Sequence, residues 1–176
     1  PPIPGLKETR HIEATWLLTH PEELADTDRR IVVVGGGVAG LAAAAISSER
    51  GHSVVLLEEA PTVGGNMRLA AFPPGKGDIA GMVRSWAVRA QKAGVAIRTG
   101  IRATPDMVAA FEPDEVVVAT GAKALELPIE GIDNPAIMKG GDVLAGKAYP
   151  GKNVLIAGGG MVGCEIADLL GELGHN

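Results

Sequence analysis

A chain of 176 residues has room for one domain of ordinary size and part of a second. Its 25 glycines are about twice the usual share, aromatics are scarce at 3%, and hydrophobic residues reach 46%. That composition excludes disorder and allows a core of Val, Ile, Leu and Ala. A net charge of −5 with no basic block excludes a nucleic-acid surface and a polybasic membrane patch. The single cysteine, Cys164, cannot build an internal disulfide, a zinc site or an iron–sulfur site by itself. No apolar run approaches the ~18 residues of a membrane helix, and the opening residues lack signal-peptide form, so a cytoplasmic compartment is expected.

Residues 1–30 are left as a leader of unclear role, in which His11 and His20 have no partner motif. Residues 31–34 are continuously apolar, as in a parallel strand buried on both faces. A helix follows from about Val38 to Arg50, stopped by Gly51, and residues 53–58 read as a second strand. Residues 73–75, Pro-Pro-Gly, make a turn. Asp78 is the expected cap of a helix carrying Ile79, Met82, Val83, Trp86 and Ala90 on one stripe. Gly94 stops it, and residues 95–98 begin a third strand. Thr104-Pro105 reads as an N-cap followed by proline at the first helical position, with a short helix to about Phe111. Residues 116–119 are a fourth buried strand.

Strands alternating with helices predict an α/β fold, a Rossmann-like doubly wound parallel sheet in the order third, second, first, fourth. The dinucleotide-binding domain then covers residues 31–121. Residues 122–150, rich in proline and glycine, read as an interdomain crossover. Residues 151–176 begin a second dinucleotide-binding unit that is expected to be incomplete, truncated after one strand and one helix.

An internal repeat supports this division. Residues 31–52 align without a gap to residues 154–175 at an offset of 123, with eight of 22 positions identical, the motif glycines included. In the first copy Gly35 allows the tight turn out of the strand. Gly37 lets backbone approach a pyrophosphate, and Gly40 lets the helix pack close to the sheet. Unpaired N–H groups at the helix start then hold the anion. Glu58, 18 positions after Gly40, is the expected ribose-binding acid. Val63-Gly64-Gly65-Asn66 and Ala119-Thr120-Gly121-Ala122 are both expected at the carboxyl edge of the sheet, where open α/β folds bind ligands.

The runs IVVVGGGVAGLAAAA, GHSVVLLEEAPTVGGNMRLAAFPPGKGDI, VVVATGA and VLIAGGGMVGCE resemble the nucleotide-binding half of the NADH:flavin oxidoreductase family, which includes 2,4-dienoyl-CoA reductase and trimethylamine dehydrogenase. More broadly they resemble the pyridine nucleotide–disulfide oxidoreductase fold. The likeness spans residues 31–175 and implies FAD, or ADP alone, at the first motif and NAD(P)H at the second. It places Gly35, Gly37, Val38, Ala39, Gly40, Glu58, Gly64, Gly65, Ala119, Thr120 and Gly121 at FAD-contacting positions. Gly158, Gly160, Met161, Val162 and Gly163 fall on the nicotinamide-cofactor turn, with Glu165 able to reach the nicotinamide amide. Asn66 stands where glutamine is usual and Glu59 where a basic residue is common. FMN and an iron–sulfur cluster belong to parts of such enzymes that this sequence does not match.

The function expected is that of the dinucleotide-binding portion of a flavin-dependent NAD(P)H oxidoreductase, passing hydride or electrons from NAD(P)H to FAD and on to centres outside this chain. The rival reading is a non-catalytic nucleotide-binding module with ADP or NAD as a structural or regulatory ligand, and a third is a folding unit without a ligand. No residue qualifies as a substrate acid, base or nucleophile. Arg68 and Lys76 could reach a cofactor phosphate, although solvated side chains are the commoner outcome. The expected partners are adenine dinucleotides and the remainder of a larger oxidoreductase, with neither nucleic acid nor membrane. Residues 154–175 carry enough apolar surface to dock on the first sheet or to pair with a second copy as a homodimer. A short echo, Pro2-Ile3-Pro4-Gly5-Leu6 against Pro128-Ile129-Glu130-Gly131-Ile132, has no assigned meaning.

Overall fold

The computed structural model describes residues 27–124 and 130–176, with the backbone of residues 10–13. His20, residues 2–6 and residues 128–129 lie outside the described residues. In chain order the elements are β1 (Arg10–Glu13), β2 (Arg30–Val34), α1 (Val38–Glu49), β3 (Ser53–Leu57), α2 (Met67–Ala70), α3 (Gly77–Lys92), β4 (Ala96–Arg98), α4 (Pro105–Ala109), β5 (Glu115–Val118), α5 (Gly140–Leu144) and α6 (Met161–Glu172). The chain divides into two units, residues 1–67 with 81–122 and residues 68–80 with 123–176.

In the first unit a five-stranded, all-parallel sheet runs β1-β5-β2-β3-β4. The expected order of four strands is present, and β1 is added to it. Its register runs from Arg10 opposite Glu115 to Glu13 opposite Val118. Four residues of mixed polarity carry no periodic signal, so pairing alone identifies this strand.

Alternation along the strands divides the core into two layers. Ile31, Val33, Val54, Leu56 and Val117 pack with Leu41, Ala43, Ala44, Ala45 and Ala90 on one face. Val32, Leu57 and Val116 pack with Val108 on the other. Burial on both faces explains why β2 reads as an unbroken apolar run. The small side chains of α1 suit a helix held close to the sheet. Thr104 caps α4, its hydroxyl accepting from the Met107 N–H at 3.3 Å. Asp78 lies within the first turn of α3 rather than at its cap, because the helix already begins at Gly77. Of the expected stripe, Val83 and Ala90 are buried, whereas Met82 is 39% exposed.

In the second unit Leu144, Ile166 and Leu170 form a small core with Leu69, Val143, Val154, Ile156 and Leu169 packed against it. The strand expected at 154–157 is not formed. The Val154 N–H donates to the Asn176 carbonyl at 2.8 Å and the Asn176 N–H to the Lys152 carbonyl at 2.8 Å, but among the described residues no strand is laddered beside it. Leu155 is left 96% exposed. A parallel strand needs a neighbouring strand laddered along at least one edge, and one pair of bonds does not supply that.

Candidate functional site

The first glycine turn connects β2 to α1. Gly35 has φ +107°, and a Cβ there would meet the Ala119 carbonyl oxygen at 2.3 Å. A Cβ on Gly40 would lie 1.9 Å from the Gly35 carbonyl oxygen. Both positions therefore require glycine. Gly37 is different, because nothing lies within 4 Å of where its Cβ would be. Gly37 is also the N-cap of α1 and makes no side-chain capping bond. The first-turn N–H groups of Val38, Ala39 and Gly40 thus have no cap beside this open space, as an anion site at a helix start requires.

Glu58 follows β3 directly and is buried. Its Oε2 accepts from the Gly36 N–H at 2.5 Å and its Oε1 from the Ala60 N–H at 2.7 Å. Each oxygen retains acceptor capacity for a ribose hydroxyl. Gly36 is a site residue that the spacing argument passed over. A Cβ on it would come within 3.0 Å of the Glu58 side chain and of Val63. The middle glycine of the run Gly35-Gly36-Gly37 was the available signal.

The Gly64 N–H donates to the Gly36 carbonyl at 2.7 Å, and Gly64 bridges Gly37. A Cβ on Gly65, which has φ +54°, would lie 3.2 Å from the Gly37 Cα. Asn66 Nδ2 donates to the Ala122 carbonyl at 3.1 Å. The Ala119 N–H bonds the Val34 carbonyl at 2.8 Å, which holds the start of the Ala119-Thr120-Gly121 segment against the turn. Thus Gly35–Gly40, Glu58, Gly64–Asn66 and residues 119–122 meet at one edge of the sheet. Glu59 points to another partner: its Oε2 is 4.0 Å from Arg102 Nε, both side chains being exposed.

Arg68 falls in the second unit, as do the remaining candidates. There the turn repeats the first in its glycine geometry and in its first helical hydrogen bond. Gly158 has φ +116°, a Cβ on Gly163 would lie 1.9 Å from the Gly158 carbonyl, and Gly160 caps α6 without a side-chain bond. The Cys164 N–H bonds the Gly160 carbonyl at 3.0 Å as the Leu41 N–H bonds that of Gly37 at 2.9 Å. Met161 and Val162 open α6 and are exposed. Glu165 forms an ion pair with Lys76, 89 residues away in sequence. Cys164 is exposed, and its thiol lies 3.5 Å from the Gly159 carbonyl. His175 Nδ1 lies 2.8 Å from the Gly151 carbonyl, a contact that ties down the end of the unit.

Three titratable groups outside the site, Glu49, His52 and Arg89, depart from their ordinary pKa, that of Arg89 being raised by its hydrogen bonds to Glu49. Hydrogen bonding to Arg89 lowers that of Glu49, both bonds being 2.7 Å. Burial lowers that of His52, against an opposing pull from Asp28. Among the described residues no cluster of His, Cys, Asp or Glu could hold a metal ion, and no helix is long and apolar enough to cross a membrane.

Residues 33–106 match the NAD(P)-binding Rossmann-like domain, and residues 84–176 match the pyridine nucleotide-disulphide oxidoreductase family. The second match covers more than half of the chain. The chain belongs to the pyridine nucleotide-disulphide oxidoreductase family. Among its relatives, the bilirubin reductase of Mediterraneibacter gnavus is 39% identical over 150 residues, 85% of this chain and 23% of that protein. The NADH oxidase of Thermoanaerobacter brockii is 40% identical over 155 residues, 85% of this chain and 24% of that protein. A 2-naphthoyl-CoA reductase in complex with 2-naphthoyl-CoA superposes with a TM-score of 0.82 at 32% identity, over 86% of this chain and 23% of that one. This member of the family therefore spans about a quarter of the length of the relatives it matches, and family membership supports a dinucleotide as its cofactor.

Proposed function

We propose that this chain is the nucleotide-binding part of a flavin-dependent NAD(P)H oxidoreductase, with FAD held through its ADP half at the first glycine turn and NAD(P)H at the second. One observation carries the reading. The Glu58 carboxylate closes on the Gly36 N–H beside the open face of Gly37, which aligns a ribose acceptor with a pyrophosphate cradle. An isoalloxazine bound here would supply the chemistry, accepting hydride from a reduced nicotinamide. The chain's own residues supply binding and orientation. Gly37 leaves room for the pyrophosphate, the first-turn N–H groups of α1 donate to it, and Glu58 accepts from the ribose hydroxyls. In the second unit Gly158, Gly160 and Gly163 would cradle the nicotinamide nucleotide. Glu165, with Lys76 beside it, would stand near the nicotinamide amide. Onward electron transfer would use centres such as FMN and an iron–sulfur cluster elsewhere in a larger protein, and one cysteine suits a cytoplasmic setting.

A second reading, an ADP-binding module without redox work, draws on the Asn66–Ala122 hydrogen bond, which spans the β5 side of the same edge. Calorimetry with FAD, ADP and NADH tests both. FAD binding tighter than ADP supports the flavoprotein, and equal affinities support the ADP module. Absence of heat with all three at millimolar concentration overturns both.

A further inference from the structure

The segment from Glu58 to Asn66 forms a strap across the carboxyl edge of the sheet, and its bonds trace its course. It leaves the end of β3, where Glu58 holds the Gly36 N–H. It crosses the β2 turn, where the Gly64 N–H donates to the Gly36 carbonyl at 2.7 Å. It ends beyond β5, where Asn66 Nδ2 donates to the Ala122 carbonyl at 3.1 Å. The strands it passes are consecutive neighbours in the sheet, β3, β2 and β5.

A dinucleotide with its adenosine ribose at Glu58 and its pyrophosphate at Gly37 would run along the same line, from β3 to β2, and its second half would continue toward β5. An adenosine diphosphate held the same way would end at Gly37. The last anchor of the strap therefore lies where a short ligand has ended and a long one continues. This anchor is a single neutral hydrogen bond between two exposed residues, a contact that is easily exchanged for water.

The geometry points to Asn66 as a length-selective gate. Its bond to Ala122 closes the exit through which the second half of a dinucleotide passes, and it must open for FAD but not for ADP. The inference rests on the nucleotide reading of the first turn and deepens it, since the strap sets which ligands enter and how fast. Loops 63–66 and 119–122 then act as one closed rim in the free chain and as two separate lips around a bound dinucleotide.

Stopped-flow association of FAD, read by flavin fluorescence, and of ADP, read by its competition with FAD, tests the gate in the full chain. Asn66→Ala removes the donor. Asn66→Asp keeps the side-chain shape but cannot donate to a carbonyl. Both variants are expected to raise the ratio of FAD to ADP association rates at least fivefold. Thermal melting of each variant checks that the fold is retained, and agreement between the two variants ties the effect to the lost bond. A ratio that stays constant or falls overturns the gate, a fall marking Asn66 as a direct ligand of the dinucleotide. Absence of binding of either nucleotide by the unmodified chain overturns the nucleotide reading and the gate together, an outcome distinct from an unchanged ratio.

Discussion

Glu58 and Gly36, 22 residues apart in the chain, meet at 2.5 Å where the Gly36 N–H donates to the Glu58 carboxylate. The acid that the spacing argument assigned to a ribose is thus also a support for the glycine turn. From sequence, Glu58→Ala should weaken adenine dinucleotides and spare phosphate-only ligands. The structure changes that expectation, because losing the carboxylate strips the acceptor from the N–H groups of Gly36 and Ala60. Glu58→Ala is expected to destabilise the first unit by about 1–3 kcal/mol, the cost of a buried donor left unmade. Urea denaturation measures it. Affinity for pyrophosphate should fall as well, by less than affinity for ADP; unchanged pyrophosphate binding would confine Glu58 to the ribose.

The glycines of the first turn separate folding from binding. Gly35→Ala and Gly40→Ala place a Cβ 2.3 Å and 1.9 Å from backbone carbonyl oxygens. Each is expected to cost at least about 2 kcal/mol through overlap and strain. Gly37 has φ −67° and ψ 176°, a conformation alanine adopts freely, with no atom near its Cβ position. Gly37→Ala should leave the melting temperature unchanged or slightly raised, while ADP affinity measured by calorimetry drops at least about tenfold, since the methyl fills the pyrophosphate space.

His52 makes stability depend on pH. Its Nδ1 is buried and without a hydrogen-bond partner among the described residues, and burial lowers its pKa in the folded chain. The unfolded chain, with an ordinary value of about 6.5, therefore binds more protons over the window just below that value. Stability is fully present above the ordinary value and is lost as pH falls toward the folded one. Denaturation curves at pH 7.5 and pH 5.5 should show a decline for the unmodified chain that is smaller for His52→Gln. Equal declines would assign the acid sensitivity to other groups.

Lys76 and Glu165 form an ion pair within the second unit, with the lysine 39% and the glutamate 20% exposed. Solvent screening at this exposure limits its value, and a double-mutant cycle of Lys76→Met with Glu165→Gln is expected to give a coupling of about 0.2–1 kcal/mol. High salt should reduce it. A coupling of zero at low salt would show that the two side chains contribute independently.

The sequence by itself determined the alternation of strand and helix, the order of four strands and the two glycine turns. Each of these depends on local signals. An apolar run of four residues, a glycine at a position with φ +107° and a threonine before a proline act over a few residues, so spacing reveals them. The 123-residue repeat extends to individual bonds: the Ser53 N–H meets the Arg29 carbonyl at 2.9 Å, as the Asn176 N–H meets that of Lys152 at 2.8 Å.

Tertiary structure alone decided the rest, because it depends on which distant groups share one place. Arg10–Glu13 is a strand because β5 offers it an edge, and no pattern within four residues says so. Residues 154–157 have a strand's composition and are not a strand, since among the described residues no strand is laddered along either edge. Gly36 matters because a carboxylate 22 residues onward packs against it, and Glu165 meets Lys76 across 89 residues. Such long-range pairings are specified by packing within each unit, where burial and backbone hydrogen bonding bring distant segments together rather than acting along one segment.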